Sequence, residues 1–185
     1  MKKLFCAIAA CLLGLPLAAA AGDFNLSSPD VGSKAPIANK FVFNGFGCAG
    51  ENVSPALAWQ AAPQGTKSFA LTVYDPDAPT GSGWWHWVMI DIPADASALP
   101  QGAGDPAKGL APKGTMQMRT DFGQPGWGGP CPPKGDKPHR YIFILHALKV
   151  DKLDVPQDAS AALVGFMIHA NELGRAGFTA KYGRK

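Results

Sequence analysis

Two short segments of this chain carry side chains of the kind that hold an anion. The first is Asp75-Pro76-Asp77-Ala78-Pro79, followed by Gly81-Ser82-Gly83 and then Trp84-Trp85-His86-Trp87. Its two carboxylates stand two residues apart between prolines, which fix φ and remove backbone donors, so the pair is held at a set angle. Aspartates in such a turn also cap their own backbone amides, and that structural role competes with ligand binding. The second segment runs from Gly128-Gly129-Pro130-Cys131-Pro132-Pro133 through Lys134-Gly135-Asp136-Lys137-Pro138 into His139-Arg140-Tyr141. Each segment brings one imidazole beside a large aromatic ring. An anion is held best by protonated histidines, a form that a neighbouring Asp75 favours and burial opposes; neutral imidazoles would instead donate one N–H each. His146 and His169 lack such surroundings and read as structural.

The elements that must position these groups are mainly strands. Residues 68–74 alternate Phe69, Leu71 and Val73 with Ala70, Thr72 and Tyr74, which predicts a half-buried strand. Residues 84–92 and 139–150 predict two more, and residues 41–43 and 178–182 two shorter ones. Alternation puts Trp84, His86, Val88 and Ile90 on one face of the second strand, and His139, Tyr141 and Phe143 on one face of the third. If both strand starts adjoin Asp75, a small cavity forms with aromatic walls, two imidazoles and a carboxylate. Only residues 159–173 show helical spacing, with Leu163, Phe166, Met167 and Ala170 as the inward stripe, Asp158 as N-cap and Gly174 as the stop. The class is mostly β with one helix.

Composition narrows the functional classes. Among 185 residues there are 22 glycines and 17 prolines, a turn-rich usage that argues against a helical bundle. The formal charge is +3 with 17% charged residues and no run of Lys or Arg, so nucleic acid is not an expected partner. Residues 1–21 read as a secretory signal peptide: Lys2 and Lys3, an apolar stretch from Leu4 to Leu17, then small residues at Ala18 to Ala21. The apolar stretch falls short of the ~20 residues a spanning helix needs, and no later segment reaches membrane length. Ile8-Ala9-Ala10-Cys11 loosely resembles a lipid-attachment box, but cleavage there would leave an exposed apolar stub. The expected organisation is therefore a leader over residues 1–21 and one domain over residues 22–185, periplasmic or secreted. Cys48 and Cys131 remain as a pair, and in an oxidising compartment they are expected to form a disulfide.

Asp75-Pro76-Asp77-Ala78-Pro79, the stretch from Trp84 to Pro93 with its histidine, and Pro132-Pro133-Lys134-Gly135 before His139-Arg140-Tyr141 resemble the two signature blocks of the phosphatidylethanolamine-binding protein family. The bacterial Raf kinase inhibitor-like branch is the most similar, and the resemblance extends from Phe43-Asn44-Gly45 and Ser54-Pro55-Ala56-Leu57 to Gly165-Phe166 and the final strand. It implies a β-sandwich of two antiparallel sheets with one or two peripheral helices, and an end pocket for phosphate or phosphorylated head groups. Carried over, the ligand-binding set is Asp75, His86, His139 and Tyr141, walled by Pro79, Trp84 and Pro133. Asp77 and Arg140 match motif positions, but alternation turns Arg140 away from His139, which suits an ion pair as well as a ligand contact. The chain stops soon after the last strand, whereas animal relatives carry a C-terminal helix that gates the pocket. Export also separates it from cytosolic kinases.

No G-x-S-x-G, H-E-x-x-H, S-x-x-K or phosphate-binding glycine loop occurs, so no cofactor, metal or catalytic residue is expected. The expected function is an exported binder of small anions, acting as monomer or homodimer and modulating or inhibiting a protein partner. The alternative is a metal-dependent or His/Asp-based hydrolase of small esters, since histidine and aspartate are permissible zinc ligands.

Overall fold

The computed structural model describes residues 22–185; the leader expected over residues 1–21 lies outside them. Ten strands and one α-helix follow in the order β1 (Asn25–Ser27), β2 (Asn44–Gly45), β3 (Cys48–Ala49), β4 (Leu57–Gln60), β5 (Ser68–Asp75), β6 (Trp84–Pro93), β7 (Ala98–Leu99), β8 (Met116–Gln117), β9 (His139–Leu148), α1 (Ala161–Asn171) and β10 (Glu172–Tyr182). A five-stranded antiparallel sheet has the order β10-β9-β5-β6-β8, and a three-stranded sheet the order β1-β4-β7. Leu26, Leu57, Trp59 and Leu99 from the small sheet pack against Phe69, Leu71, Val73, Tyr141, Phe143 and Leu145 from the large one. This is the two-sheet sandwich that the motif resemblance implies, and its peripheral α-helix is α1.

The outer face of the large sheet is covered too. Ala70, Val88, Ile90 and Leu148 form a second apolar cluster with Val164 and Ile168 of α1. Strand β5 is thus buried on both faces rather than half-buried, which explains why its polar positions are as enclosed as its apolar ones.

Four local expectations, the 41–43 strand and the cap, stop and inward stripe of the helix, are corrected. Residues 41–43 do not make a strand: Asn39–Phe41 is a 3-10 turn, Val42 is extended but unpaired in any sheet, and the ladder begins only at β2. The helix is capped by Ser160, whose hydroxyl accepts the Leu163 N–H, and it ends at Asn171 before Gly174, where β10 has already begun. Its buried residues are Ala161, Val164 and Ile168, while Phe166 is 69% exposed and Leu163 41%. The segment is apolar nearly all round, so spacing alone does not select the inward stripe.

The two-stranded hairpin β2-β3 is fastened to the segment before β9 by the Cys48–Cys131 disulfide, with Cα atoms 6.0 Å apart and 83 positions between them. Arg184 reinforces the joint, donating to the carbonyls of Pro132 and Gly47. Closing so long a loop restricts the unfolded chain. Reduction, or the Cys48→Ser/Cys131→Ser pair, should therefore lower unfolding free energy by about 2–5 kcal/mol in denaturant titration. Identical midpoints with and without reductant would contradict that role.

Candidate functional site

The site sits where the C-terminal end of β5 meets the first residues of β6 and β9. Asp75, the last residue of β5, pairs with Trp84 in the ladder to β6. Its side chain is buried and turned toward β9: Oδ2 accepts a hydrogen bond from His139 Nδ1–H at 2.8 Å, and Oδ1 accepts the Asp77 N–H at 2.8 Å. The expected competition between capping and site chemistry is resolved by dividing the carboxylate between both. His139 lies 3.4 Å from Asp136 Oδ2 through its other nitrogen.

His86 reaches the same space through a break in the strand. Val73 lies opposite Trp87 and Tyr74 opposite Trp85, so β6 carries an extra residue at His86. Strict alternation would group His86 with Val88 and Ile90, but those two belong to the cluster under α1, whereas His86 and Trp84 line the pocket beside Tyr141. The bulge switches the face, and the four-residue stripe expected on β6 is divided at this point. On β9 the alternation holds, with His139, Tyr141 and Phe143 turned inward.

The segment before β9 clamps His86 on both sides. The Gly128 N–H donates to the His86 carbonyl at 2.9 Å, and His86 Nδ1–H donates to the Gly128 carbonyl at 2.6 Å. Glycine at position 128 makes room for the Phe122 ring, which a Cβ there would displace. With Nδ1–H spent on Gly128, a neutral ring offers only the Nε2 lone pair. Burial pushes the imidazole down to about 4, outweighing the Gly128 carbonyl and the Asp75 carboxylate, which pull the other way. Of the two protonation states considered for the anion pocket, His86 therefore takes the neutral one at pH 7.

The resulting cavity holds about 140 Å³. Asp75, Pro79, Trp84, His86, Pro133, His139 and Tyr141 all line it, as the motif comparison implies. Phe46, Ala78, Thr80, Phe122, Cys131 and Pro132, which are not among the walls expected from the sequence, line it as well. Asp77 and Arg140 stand outside. Asp77 accepts from Arg140 Nη2 at 2.7 Å and from its Nε and backbone N–H at 2.9 Å each, and this fork holds the Asp77 carboxyl at about 2. The pair ties the Asp75–Pro79 turn to β9 from the outer side.

Tyr141 is fully buried, and its hydroxyl has no hydrogen-bond partner among the described residues. Burial, followed by the nearby Asp75 charge, pushes its ionisation well above the ordinary phenol range, so it remains an O–H. The His86 ring meets Tyr141 edge-on at 5.0 Å and Phe122 at 5.4 Å. Phe46 closes the rim from the β2-β3 turn at φ 52°, an unfavourable conformation for phenylalanine, and packs 5.3 Å from Phe43. Among the described residues no group of three His, Cys, Asp or Glu side chains is placed to hold a metal ion.

The fold is a β-sandwich with a small pocket at one sheet end, where apolar walls surround a few converging polar groups between the Asp75 turn and the His139 strand. The phosphatidylethanolamine-binding protein family model matches residues 27–183, and the chain belongs to that family. It is 48% identical to the UPF0098 protein YbcL of Escherichia coli over 182 residues, covering 98% of each chain, and 53% identical to YbhB of the same organism over 82% of this chain and 93% of that one. The crystal structure of Escherichia coli YbcL superposes with a TM-score of 0.86 at 50% identity, covering 89% of this chain and all of that one. A homologue from Chlamydia trachomatis gives 0.72 at 26% identity, covering 88% of this chain and 98% of that one.

The neutral His86 has a consequence for acid stability. Its ordinary value near 6.5 falls to about 4 on folding, so the unfolded chain binds the extra proton throughout that interval. Stability is fully present above about pH 6.5, declines as pH falls toward 4 and levels off below, a loss of about 3 kcal/mol in all. His86→Asn, whose side-chain N–H can still serve Gly128, should flatten this part of the stability–pH curve in denaturant titrations. An unchanged slope would contradict the assignment.

Proposed function

We propose that the chain is an exported binding protein whose end pocket takes a small phosphate-type anion, either free or as a phosphorylated head group. The observation that carries this reading is the orphaned Tyr141 hydroxyl. A buried O–H without an acceptor destabilises the empty protein, and an anionic oxygen in the pocket is the natural group to satisfy it. Beside it, neutral His86 contributes an acceptor, so the ligand suited to both groups has a bare oxygen for Tyr141 and a proton-bearing oxygen for Nε2. A partly protonated phosphate carries both; sulfate carries only the first.

The leader-like residues 1–21 and the disulfide support placement in the periplasm or outside the cell. The exposed ring of Phe46, held beside the pocket mouth by that disulfide, supports a companion role in which a protein partner reads the occupied or empty pocket. Binding rather than turnover is the assigned activity.

Stability, affinity and activity measurements test the reading. Tyr141→Phe should raise the stability of the ligand-free protein by about 1 kcal/mol, because it removes the unsatisfied hydroxyl, yet weaken phosphate binding by about 1.5–3 kcal/mol in calorimetry. Equal phosphate affinity in the folded variant would place the ligand elsewhere. Phosphate should also bind at least about tenfold tighter than sulfate at pH 7, and phosphoethanolamine should bind more tightly as pH falls through about 6, where a phosphomonoester gains its proton. Equal affinity for sulfate and phosphate would contradict the acceptor role of His86. Ester or phosphate hydrolysis abolished by His139→Ala would replace binding with catalysis.

A further inference from the structure

A second polar cluster lies on the opposite face of the large sheet. His146 of β9 is buried; its Nδ1–H donates to Glu172 Oε2 at 2.6 Å, and its Nε2 stands 3.2 Å from Thr72 Oγ1 of β5. Glu172 also accepts from Arg175 Nε at 2.8 Å. The tautomer follows from these partners: with Nδ1–H committed to the carboxylate, Nε2 accepts and Thr72 donates. Each of these three donor hydrogens is therefore turned toward another member of the cluster.

The cluster borders a cavity of about 230 Å³ between the sheet and α1. Its walls are the Tyr74 and Trp85 rings, 4.6 Å apart, together with Ile142 and Ile144. Both isoleucines remain only half-buried beneath the helix, so α1 leaves apolar surface uncovered. The gap coincides with Gly165 in the middle of α1. A Cβ at that position would meet nothing within 4 Å, so close packing does not demand glycine there, although glycine in a helix interior is destabilising. A residue that weakens its helix and holds open a cavity lined by buried polar groups has the marks of a binding site.

We propose that this cavity is a second ligand site, separate from the anion pocket, and that it takes a small neutral molecule with an apolar or aromatic body and one hydroxyl, of the phenol or alcohol class. The ring walls and isoleucines take the body. The Thr72 oxygen, whose own hydrogen is spent on His146, presents lone pairs and accepts the hydroxyl hydrogen of the ligand. Glu172 and Arg175 neutralise each other across 2.8 Å, so the site offers no net charge to hold a carboxylate or an ammonium group.

Protein-observed NMR with phenol, toluene and benzoate as probes tests the proposal. Phenol should shift the Thr72 and His146 resonances saturably and bind at least about fivefold tighter than toluene, with benzoate weaker than phenol. Gly165→Val, which places a side chain in the open space, should cut phenol affinity by about tenfold or more while phosphate titrations at the other pocket stay unchanged. Gly165→Ala serves the same comparison with a smaller loss and a helix stabilised by alanine. Thr72→Val should make phenol and toluene equal. No saturable shift, shifts confined to the His139 pocket, undiminished phenol binding in both folded Gly165 variants, or tighter benzoate than phenol would each overturn the proposal.

Discussion

The hydrogen bond between Asp75 and His139 governs this end of the sandwich. Both side chains are 4% exposed, so neither has water to replace the other, and separating them would leave a buried polar or charged group without a partner. Strand ends β5 and β9 are held in register by side chains just where their ladder runs out, after Tyr74 and Ile142. The second carboxylate oxygen holds the Asp77 N–H, which aims the Asp77 side chain at Arg140. Two acids in one turn thus carry different duties. One is desolvated and organises the pocket, while the other is partly exposed and fastens the turn to the adjacent strand.

The long strands were legible because burial on at least one face forces a simple pattern over many residues. Residues 68–74, 84–92 and 139–150 lie within or nearly coincide with β5, β6 and β9. The strands that escaped are those of two to four residues, such as β1, β7 and β8, whose length is too small for a period to show. Strand β10 was legible only in its last part, since Gly174 and Gly177 read as breaks; Gly177 in fact lies close against the Phe143 carbonyl of β9. The helix was found, but its inward stripe was misassigned, because Leu163 and Phe166 are as apolar as the residues that pack.

For the pocket, residue types in the two motifs identified most of the polar groups, but not their protonation. That depends on the Gly128 carbonyl, which a separate segment brings to His86, and on burial that no local pattern records. The grouping of His86 was likewise hidden: a bulge is one residue in excess on one strand, visible only when the partner strand is beside it. Phe46 and Phe122 had no signal beyond their neighbouring glycines, because their place at the rim is set by the disulfide-bound hairpin and by contacts between distant loops.

The same alternation explains how one sheet carries polar groups on both faces without mixing them. His139 and His146 lie on β9 an odd number of positions apart, so pleating alone sends them to opposite sides. Tyr141, Phe143 and Leu145 fill the inner face next to the pocket, and Ile142 and Ile144 separate the outer cluster from the strand end. On β6 an uninterrupted pleat would have put His86 with Val88 on the α1 side, where it would face apolar neighbours rather than Tyr141. The bulge is therefore what assigns His86 to the anion pocket. An apolar layer lies between the two clusters, and each imidazole is hydrogen-bonded to a carboxylate or carbonyl of its own. A perturbation at one face must deform a tightly packed sheet to be felt at the other.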